Sequence, residues 1–144
     1  AVVFCDLVHR WAAAGRTPQS VLDDLARRHG AHVTDNFSIR VGGVGWAERL
    51  AGIAAAVVAD PPTELAGVAV ARLDQPADDV IRLFLTNGDR VVIRPSGTEP
   101  KLKCYCEAVE PVGAEESAEA ARDRARSRLT SLRAELSQRL SPTP

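Results

Sequence analysis

Apolar residues recur at three- and four-residue steps along the first part of the chain, which is the spacing of one helical face. They predict a helix over residues 2–14, ended by Gly15. Thr17 followed by Pro18 is a helix-start signal, because threonine caps the first turn and proline suits its first position. A second predicted helix therefore begins here and ends at Gly30.

The pattern changes after this helical pair. Residues 31–41 alternate apolar with polar side chains and predict an extended segment, whereas residues 44–59 carry a helical stripe that Asp60-Pro61-Pro62 ends. From there the period is two, as in half-buried strands. The strand candidates lie at 68–72, 80–85, 90–94 and 102–109.

The Asn87-Gly88 dipeptide separates two of these strand candidates. It favours a two-residue type I′ turn, since both residues tolerate a positive φ. We therefore predict a hairpin in which residues 80–85 pair with residues 90–94.

A long helix is predicted over residues 114–140, where glutamates crowd the first turns and arginines the later ones, in keeping with the helix dipole. We interpret the arginine run as a solvated helix face. The apolar stripe of this helix consists of Ala118, Ala121, Ala125, Leu129, Leu132, Leu136 and Leu140.

From residue 36 onward, the predicted order is strand, helix, three or four antiparallel strands, helix. This order indicates an α+β fold, with an antiparallel four-stranded sheet and two helices packed on one of its faces. The helical pair at the start does not belong to that pattern, and we interpret it as a helical remnant of a preceding domain. The predicted domains are residues 1–34, the remnant with its hinge, and residues 35–144.

Composition and charge exclude several functions. The 144 residues carry 18 basic and 19 acidic side chains, for a formal net charge of -1, and only 4% are aromatic. These values argue against a strongly basic nucleic-acid-binding protein, and no apolar run approaches the ~20 residues of a membrane span. We expect neither a nucleic-acid nor a membrane partner. The absence of methionine and of a capping residue at the start predicts that residue 1 lies inside a longer protein.

The three cysteines, Cys5, Cys104 and Cys106, predict reduced side chains that act as small core residues. The last two fall on one face of a strand, where they cannot easily form a disulfide with each other. This use of cysteine is typical of a reducing, cytoplasmic compartment. Neither the cysteines nor the three histidines show the spacing of metal ligands, so no metal site is predicted in this chain.

One loop carries most of the chemistry. Between Arg94 and Pro100 the sequence reads Arg-Pro-Ser-Gly-Thr-Glu-Pro. A phosphate dianion prefers such a set, because Arg94 offers a bidentate fork, Ser96 and Thr98 offer hydroxyls, and Gly97 lets the backbone come close. A plain turn flanked by solubilising charges fits these residues equally well when composition alone is considered.

The lysines add to this picture. The chain has sixteen arginines but only two lysines, Lys101 and Lys103, and both follow this loop. Alternation on the predicted strand places them on one face together with Tyr105. Their position beside the loop favours a role in binding an anion.

The stretch from Gly88 to Lys101, GDRVVIRPSGTEPK, resembles the phosphate-binding loop of the α-D-phosphohexomutases, the family of phosphoglucomutases and phosphomannomutases. The segment RPSGTEP is specific to that family. The resemblance extends over about residues 31–140, which look like the fourth, C-terminal domain of these enzymes. Residues 1–34 look like the end of the third domain and its hinge.

This resemblance implies an enzyme with four domains around a cleft. A phosphoserine in the first domain donates its phosphoryl group, the second domain holds Mg²⁺, the third reads the sugar hydroxyls, and the fourth binds the phosphate already on the substrate. The implied substrate is a hexose or pentose phosphate, and the implied partners are the remaining mutase domains of the same chain. Because this chain carries only the fourth motif, it has no catalytic residue of its own and is expected to be inactive alone.

By matching position, the resemblance also implies which residues contact the phosphate of the substrate. They are Arg94, Ser96, Gly97, Thr98 and Lys103, with Lys101 second to Lys103. Glu99 and Pro100 are expected to shape the loop.

Two other classes of function stay open. The chain could be an independent binding module for phosphorylated ligands, without catalytic partner domains. It could also be an interaction domain that presents its arginine-bearing helix to a protein or a nucleic acid. The missing methionine and the uncapped start favour the mutase over the first alternative, and the balanced charge and few aromatic residues argue against the second.

Overall fold

Four helices and six strands make up residues 1–141, which are the residues that the computed structural model describes. The helices are α1 (Val2–Ala13), α2 (Pro18–His29), α3 (Trp46–Ala59) and α4 (Ala118–Leu140). The strands are β1 (Ala31–Arg40), β2 (Glu64–Leu65), β3 (Val68–Ala77), β4 (Val80–Leu85), β5 (Arg90–Pro95) and β6 (Lys101–Glu110).

These strands form one antiparallel sheet in the order β1-β6-β5-β4-β3-β2. The prediction of an α+β fold is confirmed, but the prediction of four strands is wrong. β1 joins the sheet because all ten of its residues pair with β6, from Ala31 opposite Glu110 to Arg40 opposite Lys101. β2 was missed because a strand of two residues is too short to show an alternation of apolar and polar positions.

The hydrophobic core lies between one face of this sheet and the two helices α3 and α4. Alternate residues of β4, β5 and β6 enter it, as period-two strands require. All seven residues of the stripe predicted for the last helix are buried. That helix begins four residues later than predicted, because Ser117 caps it and accepts a hydrogen bond from the amide of Ala120 at 3.2 Å.

The cysteines differ in their surroundings. Cys104 and Cys106 lie on the inner face of β6 and are free, buried thiols. Burial raises the pKa of both thiols to about 12, so they stay protonated and unreactive. The prediction of core residues is confirmed for these two and is wrong for Cys5, which is exposed because α1 buries none of its side chains.

The predicted hairpin is present, with Ile81 opposite Ile93, but its turn differs from the one predicted. The amide of Leu85 donates to the carbonyl of Asp89 at 2.9 Å, which closes a loop of three residues rather than two. Only Gly88 has a positive φ in this loop, at 90°. A three-residue loop whose last residue is a left-handed glycine is the next most common way to close a hairpin.

A second, smaller core joins α2 to β1 and α4. Its buried residues are Ala26, Ala31, Ala118 and Ala121. An ion pair of 2.7 Å between Arg122 of α4 and Asp23 of α2 links the same two helices. β1 runs without a break across the predicted boundary between residues 1–34 and 35–144, so both predicted domains share this strand. The boundary stays a prediction, and the last three residues of the second domain lie outside the described residues.

A buried carboxylate ties the hairpin loop to the long helix. Asp89 is 1% exposed, and its carboxylate accepts hydrogen bonds from the amide of Val109 and from Nε of Arg128, both at 2.9 Å. Arg128 therefore points into the structure, and Arg122 is also largely buried against Asp23. The interpretation of the arginine run (Arg126, Arg128, Arg133 and Arg139) as a solvated helix face is wrong for Arg128.

We predict that Asp89→Asn lowers the free energy of unfolding by about 2 kcal/mol, because it removes the charge of one of the two carboxylates, Asp89 and Glu110, that pair with Arg128. Urea denaturation measures this change. Asp123→Asn is the matched control, since Asp123 forms an exposed ion pair with Arg126 on the same helix. Equal denaturation midpoints for the two variants would contradict the role assigned to Asp89.

Candidate functional site

Four cations meet at one corner of the sheet, on the face opposite α3 and α4. Arg94 of β5 lies opposite Lys103 of β6, and Arg40 of β1 lies opposite Lys101 of β6. Residues paired in this way have Cβ atoms about 4.5–5.5 Å apart, and like charges in such pairs destabilise a sheet. We call these four residues the basic corner. The repulsion within these two pairs of like charges lowers the stability of the sheet.

The charges of the basic corner are also largely free of carboxylate partners. Most arginines of the chain pair with an aspartate or glutamate. Within residues 1–141, Arg40, Arg94 and Lys103 form no such pair, and Arg28 and Arg49 are the other arginines without one. Unpaired positive charge is thus concentrated at this corner.

The loop that joins β5 to β6 closes over the end of the sheet. The amide of Ser96 donates to the carbonyl of Lys101 at 2.9 Å, and the amide of Lys101 donates to the carbonyl of Glu99 at 2.7 Å. The carbonyl of Pro100 accepts from the amide of Val41 at 2.9 Å. These bonds hold the loop to β6 at one end and to the segment after β1 at the other.

Three consecutive amides of this loop stay available. Those of Gly97, Thr98 and Glu99 donate to no group in the described part of the chain. Gly97 has a φ outside the left-handed region, and a Cβ added to it would meet no atom within 4 Å. The packing of the loop therefore does not require a glycine, and its effect is to leave the backbone open to an approaching group.

The hydroxyls of the loop differ in exposure. Ser96 is only 5% exposed, whereas Thr98 is open to solvent. Both flank the free amide of Gly97, so the loop offers hydroxyl and N–H donors next to each other. Donors of this kind, next to guanidinium and ammonium groups, suit a multiply charged oxyanion.

One carboxylate lies within the basic corner. Oε2 of Glu99 is 2.6 Å from Nζ of Lys101, whose side chain is only 20% exposed. The hydrogen bond from Lys101 lowers the pKa of Glu99, and the charges of Lys101, Lys103 and Arg40 add to this effect against the opposing cost of burial. Glu99 therefore stays ionised and neutralises part of the corner.

The structure brings all six residues predicted for the phosphate site to this one corner. They are Arg94, Ser96, Gly97, Thr98, Lys101 and Lys103. Sequence reasoning missed Arg40, because β1 and β6 lie far apart in the chain and their pairing leaves no local signal. The one indication was that Arg40 falls on the polar phase of the alternation in residues 31–41.

Residues 1–141 hold no cluster of three His, Cys, Asp or Glu side chains that would bind a metal ion. The donors at the basic corner are cations and N–H groups, which bind anions rather than Mg²⁺. The residues at this site therefore do not fit Mg²⁺, which the resemblance assigns to the second domain of the whole enzyme. Within the same residues, no helix is both long and apolar enough to span a membrane.

Comparison with known proteins agrees with the motif. The family model described as phosphoglucomutase/phosphomannomutase, C-terminal domain, matches residues 47–124, which include the loop and the strands on either side of it. The chain is 37% identical over 113 residues to a probable phosphomannomutase of Haemophilus influenzae, and 27% identical over 128 residues to a phosphoglucomutase of Staphylococcus aureus.

These alignments cover 75% and 73% of this chain, but 23% of each relative. The chain thus spans about a quarter of the length of the curated relatives it matches. Because the family model matches more than half of the chain and includes the RPSGTEP loop, the chain belongs to the phosphoglucomutase/phosphomannomutase family, in which it corresponds to the C-terminal domain.

Proposed function

We propose that this domain binds the phosphate group of a hexose or pentose phosphate, within an enzyme that transfers a phosphoryl group intramolecularly. The observation that carries the proposal is the basic corner: among residues 1–141, Arg40, Arg94 and Lys103 have no carboxylate partner, and they lie beside three loop amides that donate to no group of these residues. A phosphate dianion at this position would relieve the repulsion between the paired cations.

The roles of the individual groups follow from their chemistry. Arg94 supplies a planar fork that can bind two phosphate oxygens at once, and Lys103 supplies a point charge from the neighbouring strand. The hydroxyls of Ser96 and Thr98 and the amide of Gly97 supply uncharged donors. Because the corner faces water in this chain, these contacts are screened, and we expect millimolar affinity, about -4 kcal/mol.

The other parts of the reaction are proposed to lie outside this chain. The chain covers 23% of its relatives, so the phosphoryl donor, Mg²⁺ and the sugar-binding residues would belong to the remaining domains of the whole enzyme. A reducing, cytoplasmic setting is proposed as well, and the buried free thiols of Cys104 and Cys106 support it.

The two alternative functions have less support. An independent phosphate-binding module would use the same corner, but membership of a mutase family favours the enzyme. An interaction surface on α4 would need available arginines. Its six arginines instead all pair with carboxylates of this chain, namely Arg122, Arg124, Arg126, Arg128, Arg133 and Arg139.

Titration of the chain with inorganic phosphate, followed by amide chemical shifts, tests the proposed site. We expect the largest shifts in residues 94–103 and a dissociation constant that Arg94→Ala weakens about tenfold, since this variant removes the charge-assisted fork. Arg126→Ala, which removes an exposed arginine from α4, is the matched control and should change nothing. If the largest shifts fall on α4 instead, the assignment of this loop is wrong.

We also predict that the chain alone does not interconvert glucose 1-phosphate and glucose 6-phosphate. Residues 1–141 hold no cluster of metal ligands, and the loop at 94–100 is proposed to bind a phosphate group rather than to donate one. A phosphorus NMR time course measures the interconversion, with an intact phosphoglucomutase as the positive control. A rate of interconversion that rises with the concentration of this chain would contradict the proposal that the phosphoryl donor lies in other domains.

A further inference from the structure

Among residues 1–141, Glu99 is the one acidic residue that pairs with a cation of the basic corner. Its carboxylate is bonded to Lys101, the less exposed of the two partners in that pair. Lys101 in turn lies opposite Arg40, and Lys103 and Arg94 are the next cations along the same face. Glu99 also follows directly after the free amides of Gly97 and Thr98.

This position has a consequence for any anion that binds the corner. A phosphate held by Arg94 and Lys103 would lie near the Glu99 carboxylate, and the two negative charges would repel each other. The carboxylate is also tethered two residues away from Lys101, so it competes for that ammonium group within the same chain and loses no translational freedom in doing so.

We propose that Glu99 is a tethered competing anion, which occupies Lys101 while the site is empty and is displaced from it when phosphate binds. With Glu99 in place, the corner binds free phosphate weakly, and the rest of a phosphorylated ligand has to contribute to affinity. This inference rests on the proposed function, because it requires that phosphate binds here.

Glu99 could instead assist phosphate binding, and its removal would then change the affinity in the opposite direction. If Glu99 only holds Lys101 in a position suited to the phosphate, removing its charge weakens binding. If Glu99 competes, removing its charge tightens binding. The sign of the change therefore separates the two, and a loop damaged by the substitution would not produce tighter binding.

Phosphate titration of Glu99→Gln, at fixed pH and ionic strength, is the first test. We expect the dissociation constant to fall by about threefold to tenfold, the range of one exposed charge–charge interaction with a dianion. Glu115→Gln is the matched control, because Glu115 is exposed, follows the far end of β6 and forms no ion pair with any of residues 1–141. It changes the net charge equally and should leave the constant unchanged.

The two lysines give a second readout. When the lysines of the chain are isotopically labelled, the NMR spectrum shows only the signals of Lys101 and Lys103. The signal that is lost in Lys103→Ala belongs to Lys103. Displacement predicts that phosphate moves both signals in the wild type. It also predicts that the Lys101 signal of ligand-free Glu99→Gln already differs from that of the wild type.

The outcomes separate this inference from the function it rests on. If phosphate shifts residues 94–103 but Glu99→Gln binds with equal or weaker affinity, Glu99 is not a competitor and the proposed site stands. The inference also fails if Lys103 responds to phosphate in the wild type while Lys101 does not. If neither protein shows shifts in this loop, both the site and the inference are wrong.

Discussion

Ten cross-strand pairs hold β1 against one side of β6, and six pairs hold β5 against the other side. Because side chains alternate along a strand, this register determines both which residues enter the core and which residues face outward. It buries Leu102 and Cys104 and places Lys101 and Lys103 on the opposite face. A slip by one residue would bury both lysines, so the stability of the core keeps the basic corner in place.

The same register brings like charges together at the corner. Elsewhere most arginines pair with carboxylates, and the carboxylate of Asp89, which binds Arg128, is buried. At the corner, Arg94 faces Lys103 and Arg40 faces Lys101, which is unfavourable for the sheet alone. Glu99 offsets part of this repulsion through its ion pair with Lys101, and the proposed phosphate would offset more of it.

Patterns that depend on neighbouring residues were readable from the sequence. The helical stripe of α4, the hairpin between β4 and β5 and the loop motif at residues 94–100 all lie within short stretches. The features that were missed depend on contacts between distant segments. The pairing of Arg40 with Lys101 and the burial of Asp89 against Arg128 join residues about forty to sixty positions apart, and no local periodicity encodes them.

The hairpin turn shows the same limit, because Asn87-Gly88 permits two loop lengths and the pairing of Leu85 with Asp89 decides between them.

The most direct test of the account is a crystal structure of this chain soaked with tungstate, a heavy oxyanion that mimics phosphate and can be located by its anomalous signal. The account predicts a peak within hydrogen-bonding distance, about 2.7–3.2 Å from donor to oxygen, of the Arg94 guanidinium and of at least one amide among residues 97–99. Lys103 should lie next to it, and Glu99 should have moved away from Lys101. A peak on the arginines of α4, with the loop empty, would contradict the account.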